Sequence, residues 1–247
     1  MTFDIWSLLA ALAACALGGV LKGATGAGAP VIGVPVLAAL FNVQLAVVIF
    51  AVPNLLTNIW QSVRFRQSLL PGRFVLLFAG GGALGVVFGT YLLDGLPSDA
   101  LSLAMALAVL AYVGFRVLKA DWRLAWSRGL WIAGPAGLVG GILQGATGIS
   151  APASLTFLNA LKVERRQFVA TISVFFAVMS AAQLERMIAL ELMSFDRFMI
   201  GLGATGAVLA GMPVGQFLAR RIQPHVFDKI ILALLTILAL KILVELV

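Results

Sequence analysis

The chain is poor in charge. Of its 247 residues, 17 are Lys or Arg and 10 are Asp or Glu. It has one cysteine, Cys15, and one histidine, His225. One residue of each kind builds neither a Cys/His metal centre nor a disulfide framework within one chain. No G-x-x-x-x-G-K-[ST] pattern occurs, which excludes a P-loop nucleotide hydrolase. No stretch is long and polar enough for an aqueous domain. Charged residues make up 11% of the chain, against about a quarter in soluble domains. Soluble enzymology is thereby nearly excluded. A membrane enzyme is disfavoured too, because no nucleophile–base pair or metal cluster is visible. No cofactor and no metal are expected.

What the chain has instead is apolar length. Hydrophobic residues make up 62% of it, and the mean hydropathy is +1.07. The apolar stretches are long and do not alternate, so they read as membrane helices and not as barrel strands. The net charge of +7 reads as basic residues kept in cytoplasmic loops, not as a nucleic-acid surface. Leu12-Ala13-Ala14-Cys15 resembles a lipoprotein cleavage box. The residues before it carry Asp4 and no Lys or Arg, so an ordinary first membrane helix is expected.

An internal repeat organises the chain. Residues 18–30 read GGVLKGATGAGAP and residues 140–152 read GGILQGATGISAP, identical at nine of thirteen positions at an offset of 122. Gln61 and Gln183 match at the same offset, and Gly85-x-x-x-Gly89 resembles Gly211-x-x-x-Gly215. The repeats are taken as 1–122 and 123–247, joined near the charged stretch Lys119–Arg128. Apolar segments fall at 5–23, 29–42, 45–62, 73–93 and 100–118, and again at 129–144, 151–161, 167–184, 198–219 and 226–247. The second segment of each set is too short to cross, since crossing takes about 20 residues. The first two of each set read as a hairpin that dips in and turns back at a glycine-rich turn.

The cations give the topology. Arg64, Arg66 and Arg73; Arg116, Lys119, Arg123 and Arg128; Lys162, Arg165 and Arg166; and Arg220, Arg221 and Lys229 cluster at four ends or loops. Placed inside, they leave Arg186, Arg197 and Lys241 outside and Lys22 within the membrane. Three full spans per repeat then invert one repeat relative to the other. The fold expected is an all-α polytopic membrane protein with two inverted-topology repeats. Each repeat is a re-entrant or broken helical hairpin plus three transmembrane helices. Such repeats, broken at corresponding positions, mark secondary transporters with a midplane site.

The candidate substrate-binding residues follow from depth and polarity. Irregular backbone in a membrane survives where protein or a water-filled cavity satisfies it. Gly23, Thr25, Gly26 and Gly28 in the first turn, and Thr147, Gly148 and Ser150 in the second, offer close backbone approach and hydroxyls. Pro30 and Pro152 are expected to start helices whose positive ends face an anion. Helix packing by Gly19-x-x-x-Gly23 is the competing role. Lys22 is an intramembrane cation, with Gln144 at its repeat position. Asn54, Asn58 and Gln61 form one helical stripe, and Ser173, Ser180 and Gln183 its counterpart, with Thr57 and Thr171 near the edges. These stripes either line a path or join helices. No carboxylate falls inside a span, so coupling through a buried acid is disfavoured. Substrate protonation, sodium held by carbonyls, or uniport stay open. An interior-negative potential supplies about 2.3 kcal/mol per 100 mV to an exported monoanion.

The pattern G-x-x-x-G-A-T-G, followed by a helix with Pro35 and repeated as Gly141–Pro152, resembles the sulfite exporter TauE/SafE family, also called the TSUP permeases. The resemblance spans both halves. It implies a multi-pass bacterial or archaeal inner (plasma) membrane permease for sulfite, sulfoacetate or another organosulfonate. The expected partners are a small anionic substrate and the lipid bilayer, without nucleic acid, and a homodimer stays open. The expected mechanism is alternating access around an anion held between the two GATG turns. The rivals are an anion channel and a non-transporting membrane partner subunit.

Overall fold

A computed structural model describes residues 4–118, 122–221 and 224–246. They form ten α-helices: α1 Ile5–Thr25, α2 Ala29–Leu40, α3 Val43–Arg64, α4 Gly72–Gly95, α5 Ser98–Leu118, α6 Trp126–Thr147, α7 Ser154–Ala160, α8 Arg165–Ala189, α9 Phe195–Leu218 and α10 Pro224–Val244. No strand occurs among the described residues. Among the described residues, seven helices, α1, α3, α4, α5, α6, α8 and α9, are long and apolar enough to cross a membrane. The chain is thus an all-α, multi-pass membrane protein. Lys119, counted among the inside cations, lies outside the described residues.

The hairpins keep their short return arms, but their first arms are longer than the sequence suggests. α1 has 21 residues and α6 has 22, enough for roughly 32 Å at 1.5 Å per residue. The small residues before each turn stay helical because their ends are tied down. Thr25 Oγ1 donates to Leu21 O and Thr147 Oγ1 to Leu143 O, one turn back. Gly26 and Gly148 then cap the two helices in the left-handed region, at φ 88° and 73°, where glycine carries no Cβ penalty. Their amides donate to Lys22 O and Gln144 O. Pro30 sits in the first turn of α2, as expected. Pro152 does not start a helix. Residues 151–153 form a turn, and α7 begins at Ser154.

The repeats interlock. α1 runs along α9, and α6 runs along α4. By sequence order these are the first helix of each repeat against the fourth helix of the other. Glycines make both contacts. A Cβ on Gly19 or Gly23 would meet the backbone of Val208 or Met212, and one on Gly211 or Gly215 that of Ala16 or Val20. Likewise Gly85 and Gly89 face Leu138 and Ile142, while Gly141 and Gly145 face Gly82 and Val86. Numbers rise together on both sides, so each pair is parallel. With successive helices alternating in direction, α1 and α6 then point oppositely. That is consistent with inverted repeats. The exchange is also the close backbone approach that small residues permit in lipid, where tails give helices no hydrophobic reason to pair.

The middle of the bundle is α3 against α8, flanked by α4 and α9. α3 is the most buried span. The short arm α7 is fixed by aromatics: Phe157 lies 6.0 Å from Phe74 and 5.5 Å from Phe78, and Phe78 stacks on Phe175 at 4.0 Å. Large apolar side chains such as Leu76, Leu84, Phe88 and Trp131 point outward, as a lipid-facing surface requires.

Candidate functional site

The last turn of α1 carries Lys22, which is 1% exposed. Its Nζ donates to Asn58 Oδ1 at 2.6 Å. Asn58 is held in that orientation from behind, because its Nδ2 donates to Asn54 O and Asn54 Oδ1 at 2.7 and 2.8 Å. Asn54 Nδ2 in turn donates to Ser180 Oγ at 2.9 Å. Asn58 and Asn54 of the stripe read on α3 therefore form a buried relay that leads from Lys22 to Ser180 on α8. Among the described residues Asn58 is the one acceptor that Lys22 reaches. Among these residues, two of its three N–H donors have no protein partner and no carboxylate pairs with it.

The stripe on α8 is joined to its surroundings less tightly. Ser173 Oγ donates to Gln61 Oε1 at 3.4 Å, and Gln183 Nε2 to Gln144 O at 3.4 Å. Thr171 Oγ1 accepts from Leu70 N at 3.3 Å, a link to the loop before α4. Thr57 bonds back to Pro53 O. The Oε1 atoms of Gln144 and Gln183 are buried with no hydrogen-bond partner.

The turn residues behave differently from the stripes. Thr25 and Thr147 spend their hydroxyl protons on carbonyls of their own segments. Thr147 Oγ1 also accepts from Ile149 N. Ser150 Oγ lies 2.9 Å from Ser154 Oγ. Gly148 packs on Val34 and Val47, and Ile149 and Ser150 are buried with it. No hydrogen bond among the described residues joins one turn to the other. Gly23 is a packing residue, as its Met212 contact shows.

The first turn borders two cavities at the arginine-rich end. One, of about 340 Å³, is lined by Thr25, Ala27, Gly28, Arg116, Asn159 and Arg165, among others. The other, of about 350 Å³, is lined by Gly23, Gly26, Gln61, Arg64, Arg165, Arg166 and Arg220, among others, and by no carboxylate. It reaches Gly23 and Gln61, the chain neighbour of Lys22 and a residue one turn from Asn58. Arg165 stands at both cavities, and its guanidinium donates to Ala24 O at 2.6 Å. Gly26 lies against Val169, one turn along α8. The sequence marks Arg165 only as one of three like charges near 162–166. Its repeat position is Val43, so no repeat signal singles it out.

A bundle of membrane-crossing helices around a buried polar seam, with a buried lysine in it, defines a polytopic membrane protein. The model of the sulfite exporter TauE/SafE family matches residues 11–242, nearly the whole chain. The protein belongs to this family, one of transporters rather than enzymes. Comparisons with curated proteins and with solved structures return no match.

Proposed function

We propose that the protein is an inner-membrane secondary permease for a small sulfur-containing oxyanion: sulfite, sulfoacetate or another organosulfonate. The observation that carries this reading is Lys22. An unpaired buried ammonium is several kcal/mol worse than a solvated or paired one. A chain keeps one when something else supplies the negative partner. The free N–H groups of Lys22 and the arginine-lined cavity bordering Gly23 and Gln61 both select an anion. One cation cancels the charge of a monoanion such as hydrogensulfite or an alkanesulfonate; a dianion also draws on the arginines of the cavity. Asn58, Asn54, Gln61, Ser173 and Thr171 line the route, and the turn at Gly26 and Gly28 borders its entrance. Access alternates when one hairpin, carried with the helix it packs on, moves against the α3–α8 centre. The repeats 1–122 and 123–247 supply the two halves of that cycle.

Reconstitution in liposomes tests the reading. Wild-type protein should show saturable flux of sulfite or an organosulfonate, slow compared with a pore. No flux of any of these anions above empty liposomes would refute it. Single-channel currents would favour the channel instead.

A further inference from the structure

The two hairpins differ at one position that matters electrically. Each first arm ends in a turn of carbonyls, and a helix C-terminus carries partial negative charge that favours a cation. In α1 the cation is built in, because Lys22 lies in the last turn. In α6 the matching residue is Gln144, and that last turn holds no basic residue. The same last turn faces Gln183, the repeat partner of Gln61.

Both glutamines present unpartnered oxygens here. Gln144 is 3% exposed and Gln183 is fully buried, and the Oε1 of each lacks a donor. The amide of Gln183 is oriented by its Nε2 bond to Gln144 O, so its oxygen is the free end. A buried acceptor left alone costs about 1–3 kcal/mol. Two such acceptors on residues joined at the negative end of one helix repel an anion. They match a cation, and broken-helix transporters use half-helix C-termini in this way. With neutral oxygens and no carboxylate among them, the set suits a monovalent ion. Calcium and magnesium sites draw on carboxylates.

We propose that Gln144 Oε1, Gln183 Oε1 and the α6 carbonyls beyond Gln144 bind a monovalent alkali cation, in the second repeat's counterpart of the place that the Lys22 ammonium takes in the first. The site stands apart from the identity of the transported anion. It makes the protein a two-ion machine, with one cation covalently attached and the other exchangeable.

Thermal unfolding of the purified full chain, with no sulfur oxyanion present, tests this. The medium holds sodium chloride, potassium chloride or N-methyl-D-glucamine chloride at equal ionic strength. Wild type should gain about 3–6 °C in sodium or potassium over the organic cation, at roughly ten times the dissociation constant. Gln183→Leu and Gln144→Lys, the latter supplying a tethered ammonium as α1 does, should each abolish the gain. Equal midpoints for wild type in all three salts would overturn the proposal, which is the result expected if water alone bridges the oxygens. So would a gain that survives in a folded variant. The readout contains no anion substrate, so it fails or succeeds independently of sulfite flux.

Discussion

Replacing Lys22 with glutamine separates a transport role from a structural one. Glutamine stands at the matching position of α6, so the helix turn accepts it, and it can still donate to Asn58 Oδ1. Two effects follow with opposite signs. The variant loses charge-assisted hydrogen bonds to the anion, worth about 1.5–3 kcal/mol each. One such bond corresponds to roughly 10- to 150-fold weaker binding, at 1.4 kcal/mol per factor of ten. The fold, by contrast, sheds an unpaired buried charge whose effective penalty is several kcal/mol. Even about 1 kcal/mol of that relief raises Tm by roughly 2–4 °C in a chain of this size. The assay pairs proteoliposome flux of sulfite over a concentration series with thermal unfolding of the same preparation. The expected pattern is a stiffer protein that transports at least about tenfold less at low substrate. Flux within about twofold of wild type would refute the reasoning. So would lost flux accompanied by a lower Tm, because Lys22 would then be a structural residue.

Three further outcomes are expected. Gly211→Leu drives a side chain into the backbone of Ala16 and should cost at least about 1–3 kcal/mol of stability. Gly206→Ala on the same helix meets nothing within 4 Å and should be neutral or stabilising by up to about 1 kcal/mol; equal Tm losses would contradict the interlocked packing. Arg165→Gln removes positive charge from both cavities while retaining a donor for Ala24 O. Its KM for anion presented at the arginine-rich face should rise several-fold at low salt and less at high salt, where screening is strong; a KM unchanged at low salt would remove Arg165 from the entry path. A double-mutant cycle of Asn54→Ala and Ser180→Ala should give a coupling of about 0.6–1.7 kcal/mol, the range for interhelical hydrogen bonds in membranes. A coupling near zero would mean that the two side chains do not bond across α3 and α8.

Much of this architecture was legible in residue order. Period, polarity and repeat identity reveal the stripes on α3 and α8, the short return arms and the odd cation at Lys22. The interlock was not legible. Gly85-x-x-x-Gly89 and Gly211-x-x-x-Gly215 stand out as a matched pair, yet nothing in a one-dimensional pattern says which helix they face. That depends on the three-dimensional exchange of first arms. The full extent of α1 and α6 is hidden as well, because a run of Gly, Ala and Thr reads as an interruption. The hydroxyls of Thr25 and Thr147 instead bond the preceding turn and carry the helix to its cap. Pro152 misleads for a related reason: Ser154 bonds back to Ser150 O and closes the turn first, so α7 starts two residues late. Arg165 was visible only as topology. Its reach to Ala24 spans 141 positions of sequence, beyond any local signal.

The exchange of first arms also sets an order of assembly in time. α6 leaves the ribosome with its partner α4 already made. α1 does not: Gly19 must wait for Val208, 189 residues later. At about 5–20 residues per second that wait is roughly ten to forty seconds. For that interval the first helix stands in the bilayer, or against the insertion machinery, with its glycine face uncovered. α1 is thus made long before the helix that locks it in place.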